Sequence, residues 1–175
     1  MRVLAISGSL RTVSTNTALL KAAIRLAPNG MTIEFYDGLA GLPHFNPDDD
    51  VEPRPAPVAE LRRKIADADG LLISSPEYAR GVPGSLKNAL DWLVSSEDFA
   101  GKPVAFLHAS ERGIVSQAAL RLILETMAAR VIDDATITIP LLGKQTDADA
   151  IAADPVLAPR LRAALEAFAD QASKR

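Results

Sequence analysis

A polar segment, ISGSLRTVSTN, follows the first apolar run of the chain and precedes a stretch with helical spacing of apolar residues. It holds hydroxyl side chains, an amide and one guanidinium, and its candidate binding residues are Ser9, Arg11, Ser14, Thr15 and Asn16. A loop that leads into a helix also offers free backbone N–H groups and the positive end of the helix dipole. Hydroxyl donors and an arginine fork suit a phosphomonoester, so this segment predicts a phosphate site.

Two common phosphate-binding patterns are absent from the segment. It lacks the Gly-Lys-Ser/Thr of P-loops and the G-x-G-x-x-G of Rossmann dinucleotide sites. One alternative stays open, in which Ser14, Thr15 and Asn16 only cap the following helix and Arg11 is solvated. We expect Thr15 or Asn16 to be the cap, but capping accounts for only one or two of these residues.

A second polar segment, SSPEYARGVPGSLKNALDWL at 74–93, follows a charge-free apolar run. Its two prolines and two glycines restrict the backbone, which can then present N–H and C=O groups to a flat polar ring. Tyr78 can add an aromatic or hydroxyl contact. We interpret Glu77 as a hydrogen-bond acceptor for loop amides rather than as a catalytic carboxylate.

Apolar runs and amphipathic stretches alternate along the whole chain. Strands are predicted at 2–7, 31–37, 70–75, 102–110 and 131–140, and helices at 16–27, 57–69, 84–96, 116–130 and 159–174. This alternation favours an α/β doubly wound fold, a parallel sheet with helices on both faces in three layers. With 175 residues and no linker, we expect one domain over 1–175. Both polar segments then follow strands, where ligands of such sheets bind.

Together, GSLRTVSTN and PEYARGVPGSLKNALDWL resemble the NAD(P)H-dependent FMN reductases of flavodoxin-like fold, a family that includes quinone and chromate reductases. The family patterns are G-S-x-R-x-x-S-x-N and P-E-Y-N-x-x-x-P-G-x-L-K-N-A-I-D-W, and GKPVAFLHAS also matches the fourth strand of the family. The resemblance implies a five-stranded parallel sheet of order 2-1-3-4-5, FMN as cofactor, and NADPH or NADH as reductant.

The resemblance also implies which residues hold the flavin. Those for the phosphate are Ser9, Arg11, Ser14 and Asn16, together with Thr15; those for the ribityl chain and ring are Pro76, Glu77, Tyr78 and the backbone through Ala79, with Ser110 starting a third loop. Two departures stand out. Ala79 replaces the usual asparagine, and the third loop, ASERGIVSQ, has fewer glycines than usual, so Glu111 and Arg112 can line the pocket instead.

The expected activity follows from the cofactor, which would carry the hydride itself, so no catalytic acid, base or nucleophile is required of the protein. We expect two-electron transfer from a nicotinamide to flavin, quinone or a similar small acceptor. Two alternatives are a non-enzymatic flavodoxin-type electron carrier, which the mild net charge of −3 disfavours, and an anion-binding or regulatory module that has lost the flavin.

The composition excludes several other classes. The near-neutral charge offers no basic face for nucleic acid. There are no cysteines, and His44 and His108 lie too far apart in sequence for a metal-binding pair, so no metal site is predicted. No apolar run has the length of a membrane span, and MRVLAISGS is too short for a secretory signal. We therefore expect a cytoplasmic protein.

Some residues keep two interpretations. The resemblance implies a homodimer or homotetramer that uses the helix at 84–95, where Trp92 is either an interface anchor or part of the core. Arg80 and Arg112 are either ligands of the NADPH 2′-phosphate or solvated. His108 is a packed neutral histidine or a flavin contact. The acidic run at 48–50 is typical of a solvated turn.

Overall fold

The computed structural model describes residues 1–141 and 147–174. Its sheet consists of the parallel strands β1 (Arg2–Ser7), β2 (Thr32–Tyr36), β3 (Gly70–Ser74), β4 (Pro103–His108), β5 (Arg130–Val131) and β6 (Ile137–Thr138). The order is β2-β1-β3-β4-β5, and β6 pairs with β4 as well. The predicted doubly wound sheet of order 2-1-3-4-5 is therefore confirmed.

The fifth position of the sheet is divided between two short strands, where a single strand at 131–140 was predicted. A turn of 3-10 helix at Asp133–Ala135 separates β5 from β6. Across this gap the Thr136 hydroxyl accepts a hydrogen bond from the Phe106 amide (3.2 Å) and donates to the Ile132 carbonyl (3.1 Å). A side chain thus satisfies the β4 amide where the backbone ladder is interrupted.

Six α-helices lie in the described part of the chain. They are α1 (Thr15–Arg25), α2 (Ala56–Asp67), α3 (Gly84–Asp91), α4 (Ile114–Thr126), α5 (Ala148–Ala153) and α6 (Leu157–Ala172). Helix α5 was not predicted; Asp147 caps it by accepting from the Ala150 amide at 2.8 Å. Helix α3 ends at Asp91, five residues before the predicted end at 96. None of the helices in residues 1–141 and 147–174 is long and apolar enough to cross a membrane.

The central strands are buried on both faces, so alternate side chains enter two separate cores. Val3 and Ala5 face the core under α1, α5 and α6. Leu4 and Ile6 face the core under α2, α3 and α4. This burial explains why these strands read as continuous apolar runs. It also fixes the register of β1, β3 and β4, whose following loops carry the polar segments.

The long connection between β2 and α2 is held to the body of the protein at Asp50, while Asp48 and Asp49 are exposed, as expected for a solvated turn. Asp50 pairs with Arg54 (2.7 Å) and Arg62 (2.8 Å). Burial raises the pKa of Asp50, but hydrogen bonds from Ser95 and Arg54 outweigh it and lower the pKa overall. The fully buried Trp92 donates to the Pro43 carbonyl at 2.8 Å. Trp92 therefore belongs to the core of this chain.

Candidate functional site

A cleft of about 300 Å³ lies at the carboxyl ends of β1, β3 and β4. Every predicted site residue lines it except Ala79. Arg112 and His108, for which the sequence left a ligand contact open, also line it, whereas Glu111 does not. The lining residues that were not predicted are Ser75, Ala109, Gly113 and Gln117. The volume is at the lower end of the range for small-molecule sites, roughly 300–1,000 Å³.

The first loop of the cleft, between β1 and α1, ends in a capped helix N-terminus. Ser14 is the cap, since its hydroxyl accepts from the Thr17 amide at 3.3 Å, so the expected cap at Thr15 or Asn16 is wrong by one or two positions. No hydrogen bond within the described chain uses the amides of Thr15 and Asn16. The exposed guanidinium of Arg11 likewise has no partner in residues 1–141 and 147–174. These groups remain available to an anion.

Buried hydroxyls tie this loop to the sheet. The Ser74 hydroxyl, at the end of β3, donates to the Asn16 side-chain oxygen at 3.0 Å, and both residues are buried. Ser7 and Thr17 share a second hydroxyl contact at 2.9 Å. Asn16 thus lines the cleft while its oxygen is committed to β3. This hydrogen bond holds the first turn of α1 in place against the end of β3.

Gly8 allows the first and second loops to meet. Its amide donates to the Ser74 carbonyl at 2.8 Å. A Cβ at this position would lie 2.4 Å from the Ser75 hydroxyl oxygen and 2.9 Å from the Ser75 Cβ, closer than side chains pack. The glycine in ISGS is therefore required by the close approach of the two loops.

The second loop contains a tight hairpin beside the cleft. Tyr78 and Gly81 exchange two backbone hydrogen bonds of 3.1 and 2.9 Å. The two residues between them, Ala79 and Arg80, have φ of 50° and 59°. Such φ values are those of a type I′ turn, which asparagine and glycine adopt most readily. The family asparagine at this position therefore suits the turn, and Ala79 accepts strain there without lining the cleft.

Glu77 joins the second loop to the third. Its carboxylate accepts from the Ser116 amide in the first turn of α4 at 2.9 Å. The expectation that Glu77 binds loop amides is met, although the amide belongs to a helix far along the sequence. Gly113 precedes α4 with φ of 105°, and a Cβ there would lie 3.3 Å from the Glu77 Cβ. Only glycine fits this conformation without strain.

His108 lies at the end of β4 and lines the cleft. Its ring stacks on Phe106 with centroids 5.6 Å apart. Burial, with the nearby positive charge of Arg121, lowers the pKa of His108 from 6.5 to about 4. The imidazole is therefore neutral at physiological pH. The interpretation as a packed neutral histidine is confirmed, and because His108 also borders the cleft, a flavin contact stays a prediction.

Sequence reasoning missed Gln117, which lies one turn into α4 and lines the cleft. The helical spacing of apolar residues in this segment offered no signal for it, because a single polar residue on an amphipathic helix is ordinarily solvated. Ser75 was passed over beside Ser74, although it directly continues the strand. The carboxyl edge of β3 was the signal that could have identified it.

The donor set of the cleft fits a flavin mononucleotide. Hydroxyls, an unpaired guanidinium and free helix amides meet at the first loop, as a phosphate requires. The second loop is rigid and brings Tyr78 and backbone groups beside it, as a flat heterocycle requires. The two sets lie on neighbouring strands of one sheet edge.

Comparison with known proteins agrees with this geometry. An NAD(P)H-dependent FMN reductase of Pseudomonas aeruginosa is 46% identical over 112 residues, which cover 63% of this chain and 60% of that protein. A quinone reductase of Escherichia coli is 36% identical over 121 residues, covering 67% and 64%. The chain thus spans less than two thirds of the length of either relative.

A solved structure and a family model extend the similarity along the chain. The flavoenzyme NAD(P)H:(acceptor) oxidoreductase FerB from Paracoccus denitrificans superposes with a TM-score of 0.81 at 29% identity, covering 99% of this chain and 97% of that one. A model of the NADPH-dependent FMN reductases matches residues 1–142, a span that includes all three loops of the cleft. The chain belongs to the NADPH-dependent FMN reductase family.

Proposed function

We propose that this chain is an NAD(P)H-dependent FMN reductase that passes two electrons to flavins, quinones or similar small acceptors. The observation that carries the proposal is the cleft itself. Three loops from adjacent parallel strands converge there, and Arg11, whose guanidinium is unpaired in the described chain, lines the cleft together with Thr15 and Asn16 of the first turn of α1. The names of the relatives, FMN reductase and quinone reductase, support the same activity.

Each loop has a distinct task in this proposal. Arg11, Ser9 and Ser14 bind the FMN phosphate together with the α1 amides. Pro76, Tyr78 and the hairpin after them orient the ring, and Ser110 borders it from the third loop. The bound flavin supplies the hydride chemistry. The protein therefore binds, orients and excludes water, and the neutral ring of His108 adds no charge to the cleft.

The electron-carrier alternative has less support. Its main expectation is a strongly acidic surface for docking protein partners, and the net charge here is only −3. The related proteins described above are named as reductases or oxidoreductases. We therefore favour an enzyme that meets small molecules in its cleft.

The proposal is tested with purified protein and added FMN. We expect flavin absorbance bands to remain after removal of free FMN or to appear on titration, and NADPH or NADH to be oxidised when free FMN or a quinone is present. A flavin-loaded protein without turnover would favour the carrier. Absence of any flavin binding would leave only an anion-binding module.

Two broader features belong to the same proposal. We infer that the protein acts in the cytoplasm, where reduced nicotinamides are available and where a chain without cysteines needs no oxidising environment. We also infer a homodimer or homotetramer. Its support is the resemblance of the 84–95 segment to the family.

A further inference from the structure

We propose that Arg112 forms a second anion subsite of the cleft, which takes a phosphate of the nicotinamide dinucleotide rather than the phosphate of FMN. The inference rests on the proposed function for the identity of the ligand. The evidence that the subsite exists is the geometry of the third loop. Of the two arginines whose role the sequence left open, Arg112 lines the cleft and Arg80 does not.

The guanidinium of Arg112 has no partner within the described residues. Several other arginines of the described chain do have one: Arg25, Arg63 and Arg121, for example, each pair with a carboxylate. The carboxylate next to Arg112 in sequence, Glu111, is exposed and does not line the cleft. A cation that borders a binding cleft and lacks an internal counter-charge is available to an anionic ligand.

The backbone around Arg112 is fixed although the loop is at the surface. The Arg112 amide donates to the Ser110 hydroxyl at 3.0 Å, which closes a short turn. Gly113 follows with φ of 105°, a left-handed conformation, and Glu77 holds the first turn of α4 through the Ser116 amide at 2.9 Å. These constraints hold the Cα of Arg112 at the rim of the cleft and lower the entropic cost of using it.

The cleft holds two separate guanidinium groups, and only one of them belongs to the loop predicted to bind the FMN phosphate. Arg11 and Arg112 both line the cleft, and Glu77 is the only acidic residue among its described lining residues. One Glu77 oxygen is already bonded to the Ser116 amide. A nicotinamide dinucleotide brings a pyrophosphate, and NADPH brings a further phosphate. A second phosphoryl group is therefore an anion that a guanidinium on the third loop can bind.

The two arginines come from opposite sides of the site. Arg11 follows β1 and Arg112 follows β4, and β3 lies between these strands. Two strand spacings amount to about 10 Å. Because the α1 N-terminus and the hydroxyl side chains lie on the β1 side, the first loop binds the FMN phosphate in this proposal. Arg112 is left for a ligand that enters over the third loop.

The test compares Arg112→Ala with Arg162→Ala, a matched control that removes the same charge from an exposed residue of α6 outside the cleft. Arg112→Gln gives a second variant. We would measure the FMN dissociation constant by titration, and KM and kcat for NADPH and NADH with a neutral quinone. We would also measure binding of adenosine 2′,5′-bisphosphate to the FMN-loaded protein.

We expect both Arg112 variants to raise KM for the nicotinamide about tenfold or more, to weaken the bisphosphate similarly, and to leave FMN affinity within about twofold. A rise for NADPH alone assigns the 2′-phosphate, and an equal rise for NADH assigns the pyrophosphate. Unchanged KM and bisphosphate binding would overturn the subsite, as would a loss of FMN affinity equal to that of Arg11→Ala.

Failure of the proposed function gives a different result. If the native protein oxidises neither nicotinamide yet binds the bisphosphate in a way that depends on Arg112, the reductase activity is wrong and the anion subsite stands. If it neither turns over nor binds the bisphosphate, the subsite is wrong as well.

Discussion

At the scale of single residues, Arg11 is the side chain on which FMN affinity should depend most. Its guanidinium lines the cleft and has no carboxylate partner in the described chain. A charge-assisted hydrogen bond contributes on the order of 1.5–3 kcal/mol, so Arg11→Ala should weaken FMN binding by roughly 10- to 150-fold. Fluorescence titration measures this, and an unchanged dissociation constant would contradict the phosphate assignment.

His108 should make the stability of the protein depend on pH. Burial and Arg121 lower its pKa in the folded state from 6.5 to about 4, so the unfolded chain takes up the proton first. The free energy of unfolding should be unaffected above pH 6.5 and fall by up to about 3 kcal/mol as the pH drops toward 4.

Urea denaturation between pH 7 and pH 4.5 tests this linkage. His108→Gln should flatten the part of the curve that lies below pH 6.5. The exposed His44 provides the matched control, and His44→Gln should leave the curve as it is in the native protein. Identical curves for the native protein and His108→Gln would exclude His108 as the source.

Residue types alone predicted the binding residues of the first loop well and those of the third loop poorly. The hydroxyls and Arg11 carry their chemistry in their own side chains, so a local motif was enough to find them. His108 and Gln117 line the cleft only because β4 and α4 bring them there. The sequence also left open whether Arg112 is solvated, since only the folded loop decides which arginine borders the cleft.

At the scale of elements, Glu77 should act as a cap supplied to α4 from another loop. Its carboxylate accepts from the Ser116 amide, one of the amides that a helix start leaves unbonded. Glu77→Ala should cost about 1 kcal/mol of stability, within the usual range for a lost cap, and should loosen the third loop. Glu77→Gln keeps an oxygen acceptor and serves as the conservative control.

Hydrogen exchange at the Ser116 amide and urea denaturation together measure this effect. In Glu77→Ala we expect faster exchange at Ser116 and weaker FMN binding, and in Glu77→Gln we expect most of the protection to remain. Equal exchange rates in the native protein and Glu77→Ala would show that the cap does not hold the loop.

The elements that sequence reasoning missed depend on contacts between distant residues. The predicted single strand at 131–140 is interrupted by Asp133–Ala135, and Thr136 bonds to the β4 backbone across the gap. The acidic turn at 48–50 is anchored because Arg62, on α2, reaches Asp50. Apolar periodicity could predict which segments form helices and strands, but it carries no information on such pairings.

At the scale of the whole molecule, the sheet order creates the site. Because β1, β3 and β4 are neighbours, loops that lie about seventy residues and about thirty residues apart in sequence end at one edge. Gly8 and Glu77 then fix these loops to each other by direct contact. The strand order was predictable through the family resemblance, while the contacts between loops required the folded chain.

The burial pattern indicates which residue of the 84–95 segment can lie in the interface of the expected homodimer or homotetramer. Trp92 is fully buried, so it cannot anchor an interface on the 84–95 segment. The large apolar side chain that this segment does expose is Val94, at 65%. A stable dimer buries about 800 Å² on each partner, and a charge placed inside such an interface costs several kcal/mol.

Val94→Lys should therefore shift the native dimer or tetramer toward monomer, as measured by light scattering at micromolar concentration. Val156→Lys is the matched control, because Val156 is equally exposed, at 64%, but precedes α6 instead. A native protein that scatters only as a monomer of 18.6 kDa would remove the oligomer from the proposed function. If both variants remain oligomeric, the protein does assemble, but its interface does not include Val94, because the lysine side chain of Val94→Lys must then lie in solvent.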